Sequence, residues 1–184
     1  MGYLKYLRDA WKKPSKELLE QKKQRKIEWR KQPATVRVDH PTRLDRAKSL
    51  GYKAKQGFLV VRQRVKRGGR MTEKVAGGRR PGASGRNKVV DKNYQRIAEE
   101  RVQRKYVNCE VLNSYYVDQD GQSAWYEVIL VDATHPRVLS DKNVYWTFLT
   151  KGRVFRGLTS SGKKSRGLRH KGLGSEKTRQ KNKK

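Results

Sequence analysis

Residues 157–164 read Gly-Leu-Thr-Ser-Ser-Gly-Lys-Lys. They come close to the phosphate-binding loop pattern G-x-x-x-x-G-K-[ST], whose final hydroxyl binds Mg²⁺. Lys164 stands where that hydroxyl is needed. Such a loop also opens a helix whose N-terminus meets the phosphate. Here Ser165-Arg166-Gly167 follows, with more glycine at 172 and 174, and glycine that dense does not sustain a helix. No acidic Mg²⁺ ligand follows. Nucleotide hydrolysis is therefore not the expectation. The same residues suit a different chemistry. Glycine lets backbone approach a surface closely, and successive N–H groups in turns form anion-binding concavities. Lys163, Lys164, Arg166 and Arg169 add charge-assisted bonds. The segment reads as a holder of phosphate.

Other chemistry is sparse. His40, His135 and His170 lie far apart in sequence, and Cys109 is the only cysteine, so neither metal-ligand spacing nor an intrachain disulfide arises. Cys109 reads as a small buried residue. Asp118 and Asp120 read as solvated turn residues.

The rest of the chain repeats the phosphate theme. Its 184 residues carry 47 Lys and Arg against 17 Asp and Glu, a net charge of +30. Self-repulsion of that size calls for a polyanionic partner. The charge is unevenly spread. Residues 43–90 hold 15 basic and 2 acidic residues, and residues 151–184 hold 13 and 1. Residues 106–150 reverse the balance, with 2 and 6, and are the most apolar part. The expected organisation is an N-terminal helical arm (1–33), a folded domain (34–150) interrupted by a basic Gly-rich loop (66–88), and a basic Gly-rich extension (151–184).

Within the arm, Leu4, Leu7 and Trp11 fall at helical spacing before Pro14. Ser15 caps a second helix running to about Lys31, ahead of Pro33. Thr35–Val38 is a short strand. Thr42 is placed to cap a short helix through Leu50, with Asp45 in its first turn and Gly51 as its stop. Phe58–Val65 is a strand with Val61 and Val65 on one face, Arg62 and Arg64 on the other. The loop 66–88 holds six glycines and eight basic residues. Asp91 caps a helix over 92–105, with Tyr94, Ile97, Ala98 and Val102 as its apolar stripe and a Glu100–Arg104 pair at i,i+4. Two strands, 107–112 and 125–131, form an antiparallel hairpin about residues 118–121. Trp125, Tyr126, Tyr145, Trp146 and Phe148 are expected mainly in the core. Beyond Lys151 no periodicity survives. The order β-α-β-α-β-β predicts an α+β fold: a small, largely antiparallel sheet packed by helices.

The partner class follows by elimination. The basic segments are glycine-rich and non-periodic, unlike membrane-surface helices. No apolar run approaches the ~20 residues of a membrane span, and the N-terminus carries no secretory signal. No recognition helix or zinc finger for duplex DNA is present, and no aromatic strand signature for single-stranded RNA. Shape and phosphate recognition of folded RNA remains, with a chromatin-type DNA-binding protein as the alternative. The candidate contacts are Arg43, Arg46, Lys53, Lys55, Arg62, Arg64, Arg67, Arg70, Arg79, Arg80, Arg153, Arg156, Lys163, Lys164, Arg166 and Arg169. Tyr52, set among cations, could stack on a base or sugar.

Several stretches carry a resemblance. Residues 41–47 (PTRLDRA), 50–57 (LGYKAKQG), 98–101 (AEER), 111–115 (VLNSY), 127–132 (EVILVD) and 156–160 (RGLTS) resemble, in order, the archaeal and eukaryotic large-subunit ribosomal protein fifteen family. The bacterial protein of that number is a different family. Residues 174–179 look like the archaeal branch. The resemblance implies a structural part of the large ribosomal subunit in the cytoplasm, bound to large-subunit rRNA and neighbouring ribosomal proteins. It implies no enzymatic activity and no cofactor beyond Mg²⁺ or monovalent ions carried with the RNA. It also implies an α+β domain with extensions that penetrate RNA.

Overall fold

A computed structural model describes residues 2–69, 77–78 and 92–169. Arg70, Arg79, Arg80, Asp91 and His170, most of the 66–88 loop and the last fifteen residues lie outside that range. Helices α1 (Leu4–Lys12) and α2 (Lys16–Lys31) come first, followed by β1 (Thr35–Val38), α3 (Leu44–Ser49) and β2 (Phe58–Lys66). Then come α4 (Tyr94–Lys105), β3 (Cys109–Gln119) and β4 (Ser123–Asp132), and the short helices α5 (Pro136–Leu139), α6 (Trp146–Leu149) and α7 (Ser160–Ser165). The fold is α+β with the expected β-α-β-α-β-β succession. The four strands form one antiparallel sheet in the order β1-β2-β4-β3.

The sheet is covered on both faces, and the pleat sorts its side chains between two cores. Toward α4 lie Val61, Val102, Cys109, Val111, Val128, Leu130 and Val154. Toward α2, α3 and α5 lie Trp29, Ala47, Phe58, Tyr115, Val117, Trp125, Ile129 and Val131, with Val138 and Val144. Burial of β4 on both faces explains its continuous apolar run, which alternation alone would not give.

The strands differ from expectation in one instructive way. β3 runs to Gln119, so the hairpin turn is 120–122 and Asp118 lies within the strand. Two register shifts, between Val111 and Asn113 and between Tyr116 and Asp118, let β3 stay paired over its length. Each bulge inserts one residue and re-aims those after it.

Helix caps follow the local chemistry. Ser15 accepts from the Leu18 N–H at 3.3 Å, as expected. Asn93 caps α4 by accepting from the Arg96 N–H at 2.8 Å, so the helix begins at Tyr94. Thr42 does not cap α3; its N–H and hydroxyl go to a buried carboxyl on β4 instead. Glu100 pairs with Arg96 (3.1 Å) and Lys92 (2.8 Å), whereas Arg104 lies over Phe155. Tyr145, Trp146 and Phe148 are exposed rather than in the core, because α6 is a single turn that buries only Thr147. Trp125 is buried and Tyr126 half-buried.

Candidate nucleic-acid interface

The stretch 157–164 folds as a compact knot. Gly157 takes a left-handed φ of +65°, which turns the chain back. Thr159 caps α7, accepting from the Gly162 N–H at 3.1 Å. A Cβ on Gly162 would stand 2.7 Å from the backbone of Gly157, so only glycine allows this approach. The expectation of no helix here is thus corrected: a short helix forms because a distant side chain holds it.

That side chain is Glu99 of α4. It is fully buried and accepts from the hydroxyls of Thr159 (2.6 Å), Ser161 (3.3 Å) and Ser114. Burial raises its pKa above the ordinary 4.5, against the pull of the three hydroxyls and Arg153. The hydroxyls that could have met a nucleotide phosphate are thereby engaged by the protein's own carboxyl. Lys163 and Lys164 project outward from the knot and are exposed, with no bonded partner among the described residues.

A second buried carboxyl fixes the 41–50 segment. Glu127 of β4 accepts from the Thr42 N–H (3.0 Å), the Thr42 hydroxyl and the Tyr115 phenol. Burial pushes up both Glu127 and Tyr115. Arg62 lies opposite Glu127 in the β2–β4 register.

The nominated residues divide by what they already hold. Arg62 is 8% exposed, lies 4.4 Å over Trp29 and donates to Gln32. The face shared by Arg62 and Arg64 is roofed by α2, where Arg64 donates to the Arg30 carbonyl at 2.6 Å. Arg153 is half-buried, donating to the carbonyls of Val111, Leu112 and Leu158 and lying over Trp146. Tyr52 packs edge-on to Phe58 at 6.5 Å, against the core. Lys53 and Lys55 both pair with Asp141, at 2.6 and 2.7 Å, and hold its carboxyl well below its usual range. Arg67 donates to the Asp120 carbonyl and Arg169 to the Ser160 hydroxyl, yet both stay exposed. Arg46 and Arg156 are exposed, and Arg166 partly so. Arg43 pairs with the buried Asp45 at 3.1 Å and lies over Trp11.

Arg43 and Arg46 also line an open cleft of about 440 Å³ between α1, α3 and β3, together with Arg8, Lys12, Ser49 and Tyr116. Arg8, Lys12 and Tyr116 were not among the residues nominated from sequence. Arg8 and Lys12 sit four apart on α1, flanking the Leu4–Leu7–Trp11 stripe, and that spacing was the available signal. No group of His, Cys, Asp or Glu among the described residues could hold a metal ion, and no described helix is long and apolar enough to cross a membrane.

The fold and its outward cations define a small, strongly basic α+β protein. Comparison makes this specific: residues 2–184 match the family described as Ribosomal L15, and the chain belongs to it. The chain is 58% identical over 177 residues to the large ribosomal subunit protein eL15 of Picrophilus torridus, covering 94% of this chain and 91% of the relative. It is 54% identical to the protein of the same name from Methanocorpusculum labreanum, covering 95% and 91%. With that of Methanocella arvoryzae the identity is 53%, covering 94% and 90%.

Proposed function

We propose that this chain is a non-catalytic constituent of the large ribosomal subunit in the cytoplasm, where it holds folded rRNA in place through phosphate contacts. The observation that carries the reading is the pairing of family membership with a net charge of +30 that the fold does not neutralise. The contacts are assigned to the outward cations: Arg46, Arg67, Arg156, Lys163, Lys164, Arg166 and Arg169, with Arg43 at the cleft. Arg70, Arg79 and Arg80 of the basic loop join them on sequence grounds. Arg can grip a phosphate with two parallel bonds and stack on a base, which Lys cannot. Arg62, Arg153 and the Lys53–Asp141–Lys55 cluster instead brace the scaffold. Neighbouring ribosomal proteins are the remaining partners.

The test is binding of the full chain to folded large-subunit rRNA as salt is varied. With about ten phosphates contacted, log K against log[salt] should slope near −7 to −9. Sedimentation of the protein with the large subunit at moderate salt is the matching result in lysate. Equal affinity for duplex DNA, or a protein that stays at the top of the gradient, overturns the reading.

A further inference from the structure

The cleft between α1, α3 and β3 differs from the other cationic surface. Arg8 and Lys12 approach from α1, Arg43 and Arg46 from the start of α3, and Ser49 from its end. Tyr116 of β3 is 41% exposed at the same cleft. Among the described residues, the one carboxylate bonded to these cations is Asp45, which is buried and held by Arg43. Asp9 lines the adjoining hollow with Arg8 and Lys12, not this cleft.

Positive charge is crowded here beyond what the fold needs. Trp11 carries Lys22 at 4.1 Å and Arg43 at 4.9 Å, so a further cation lies close to Arg43 of the cleft. Lys22 has its pKa lowered, first by burial, with Asp118 opposing and Arg43, Lys26 and Arg25 adding repulsion. Arg8, Lys12 and Arg46, lining the same cleft as Arg43, add to that repulsion unless an anion enters. An aromatic ring at the mouth of a cationic groove is the arrangement that stacks a base while its phosphates are held. Edge-on contact with Tyr126 at 5.8 Å fixes the Tyr116 ring. The cleft volume lies within the ~300–1,000 Å³ of small-ligand sites.

Resting on the ribosomal reading above, we infer that this cleft takes a single unpaired nucleotide of the RNA, its base stacked on Tyr116 and its flanking phosphates held by Arg8, Lys12 and Arg46. A duplex presents phosphates but keeps its bases inside, so it would leave Tyr116 without a partner. The site therefore selects a bulged or looped nucleotide, and Tyr116 supplies shape selectivity that the outward cations lack.

The test uses the full chain and folded large-subunit rRNA. Tyr116→Leu should weaken binding about tenfold or more without changing the salt slope, because stacking releases no counterions. Tyr116→Trp should restore binding, which a merely structural role for the tyrosine would not allow. Arg46→Gln should reduce the slope by about one. A photo-crosslinker placed at position 116 should capture a nucleotide that is unpaired in the RNA. Wild-type affinity in Tyr116→Leu, or capture of a duplex strand, overturns the inference. A Tyr116→Leu loss that Tyr116→Trp fails to restore also overturns it. These results leave the ribosomal reading standing where the wild-type chain keeps its steep salt slope. Loss of that slope in the wild type removes both.

Discussion

Glu99 holds together three segments that are distant in sequence: α4, β3 through Ser114, and the C-terminal knot through Thr159 and Ser161. Its removal leaves three hydroxyls without their acceptor in a place water does not reach. Glu99→Ala should cost on the order of 3 kcal/mol, read from urea unfolding at high salt. Glu99→Gln keeps an acceptor oxygen and separates charge from packing. Because burial raises the Glu99 pKa, the folded chain holds that proton at pH values where the unfolded chain, near 4.5, has released it. The stabilisation is complete below 4.5 and is lost as pH rises through the folded-state value. The unfolding free energy of the wild type should therefore fall more steeply than that of Glu99→Gln over this window. Parallel pH profiles would mean that Glu99 titrates in the fold as it does in the unfolded chain.

At the scale of elements, the knot and α7 depend on backbone contact. Gly162→Ala places a methyl 2.7 Å from the Gly157 backbone, which cannot yield as a flexible side chain would. Opening of the knot should cost about 1–3 kcal/mol and speed tryptic cleavage at Lys163 and Lys164, with the β-sheet melting little changed. Unaltered cleavage would show that the extension is held elsewhere. Sequence could not disclose this element, since Ser-Ser-Gly-Lys-Lys-Ser has poor helix propensity and its support comes from Glu99, 60 residues away. The hairpin was legible because two apolar runs flank a polar turn at residues 118–121, a signal that is local in sequence. The bulges at Leu112 and Val117 were not, because an inserted residue leaves no mark until its partner strand is known. The same limit affected the candidate contacts. Arg62 and Arg64 alternate with valines as solvent-facing residues would, yet α2 lies over them; the buried Trp29 of α2 joins the core beneath. Arg8 and Lys12 meet Arg43 and Arg46 only because α1 packs beside α3.

For the whole molecule, two electrostatic effects of opposite sign separate folding from binding. A chain of net charge +30 repels itself when free, and only a few of its cations meet carboxylates: among the described residues the ion pairs involve Asp45, Glu100, Asp118, Asp120 and Asp141. Salt screens that repulsion, with a Debye length falling from ~10 Å at 0.1 M to ~3 Å at 1 M. The melting temperature of the free protein should thus rise with salt, even though the same salt competes with RNA phosphates and weakens binding. An RNA fragment added at low salt should raise the melting temperature further, because a ligand that binds only the folded state stabilises it by mass action. Calorimetry of the free chain across a salt series decides the matter. A melting temperature that falls with salt would mean that the surface cations are neutralised within the chain, and the unpaired charge assigned to RNA would have no physical basis.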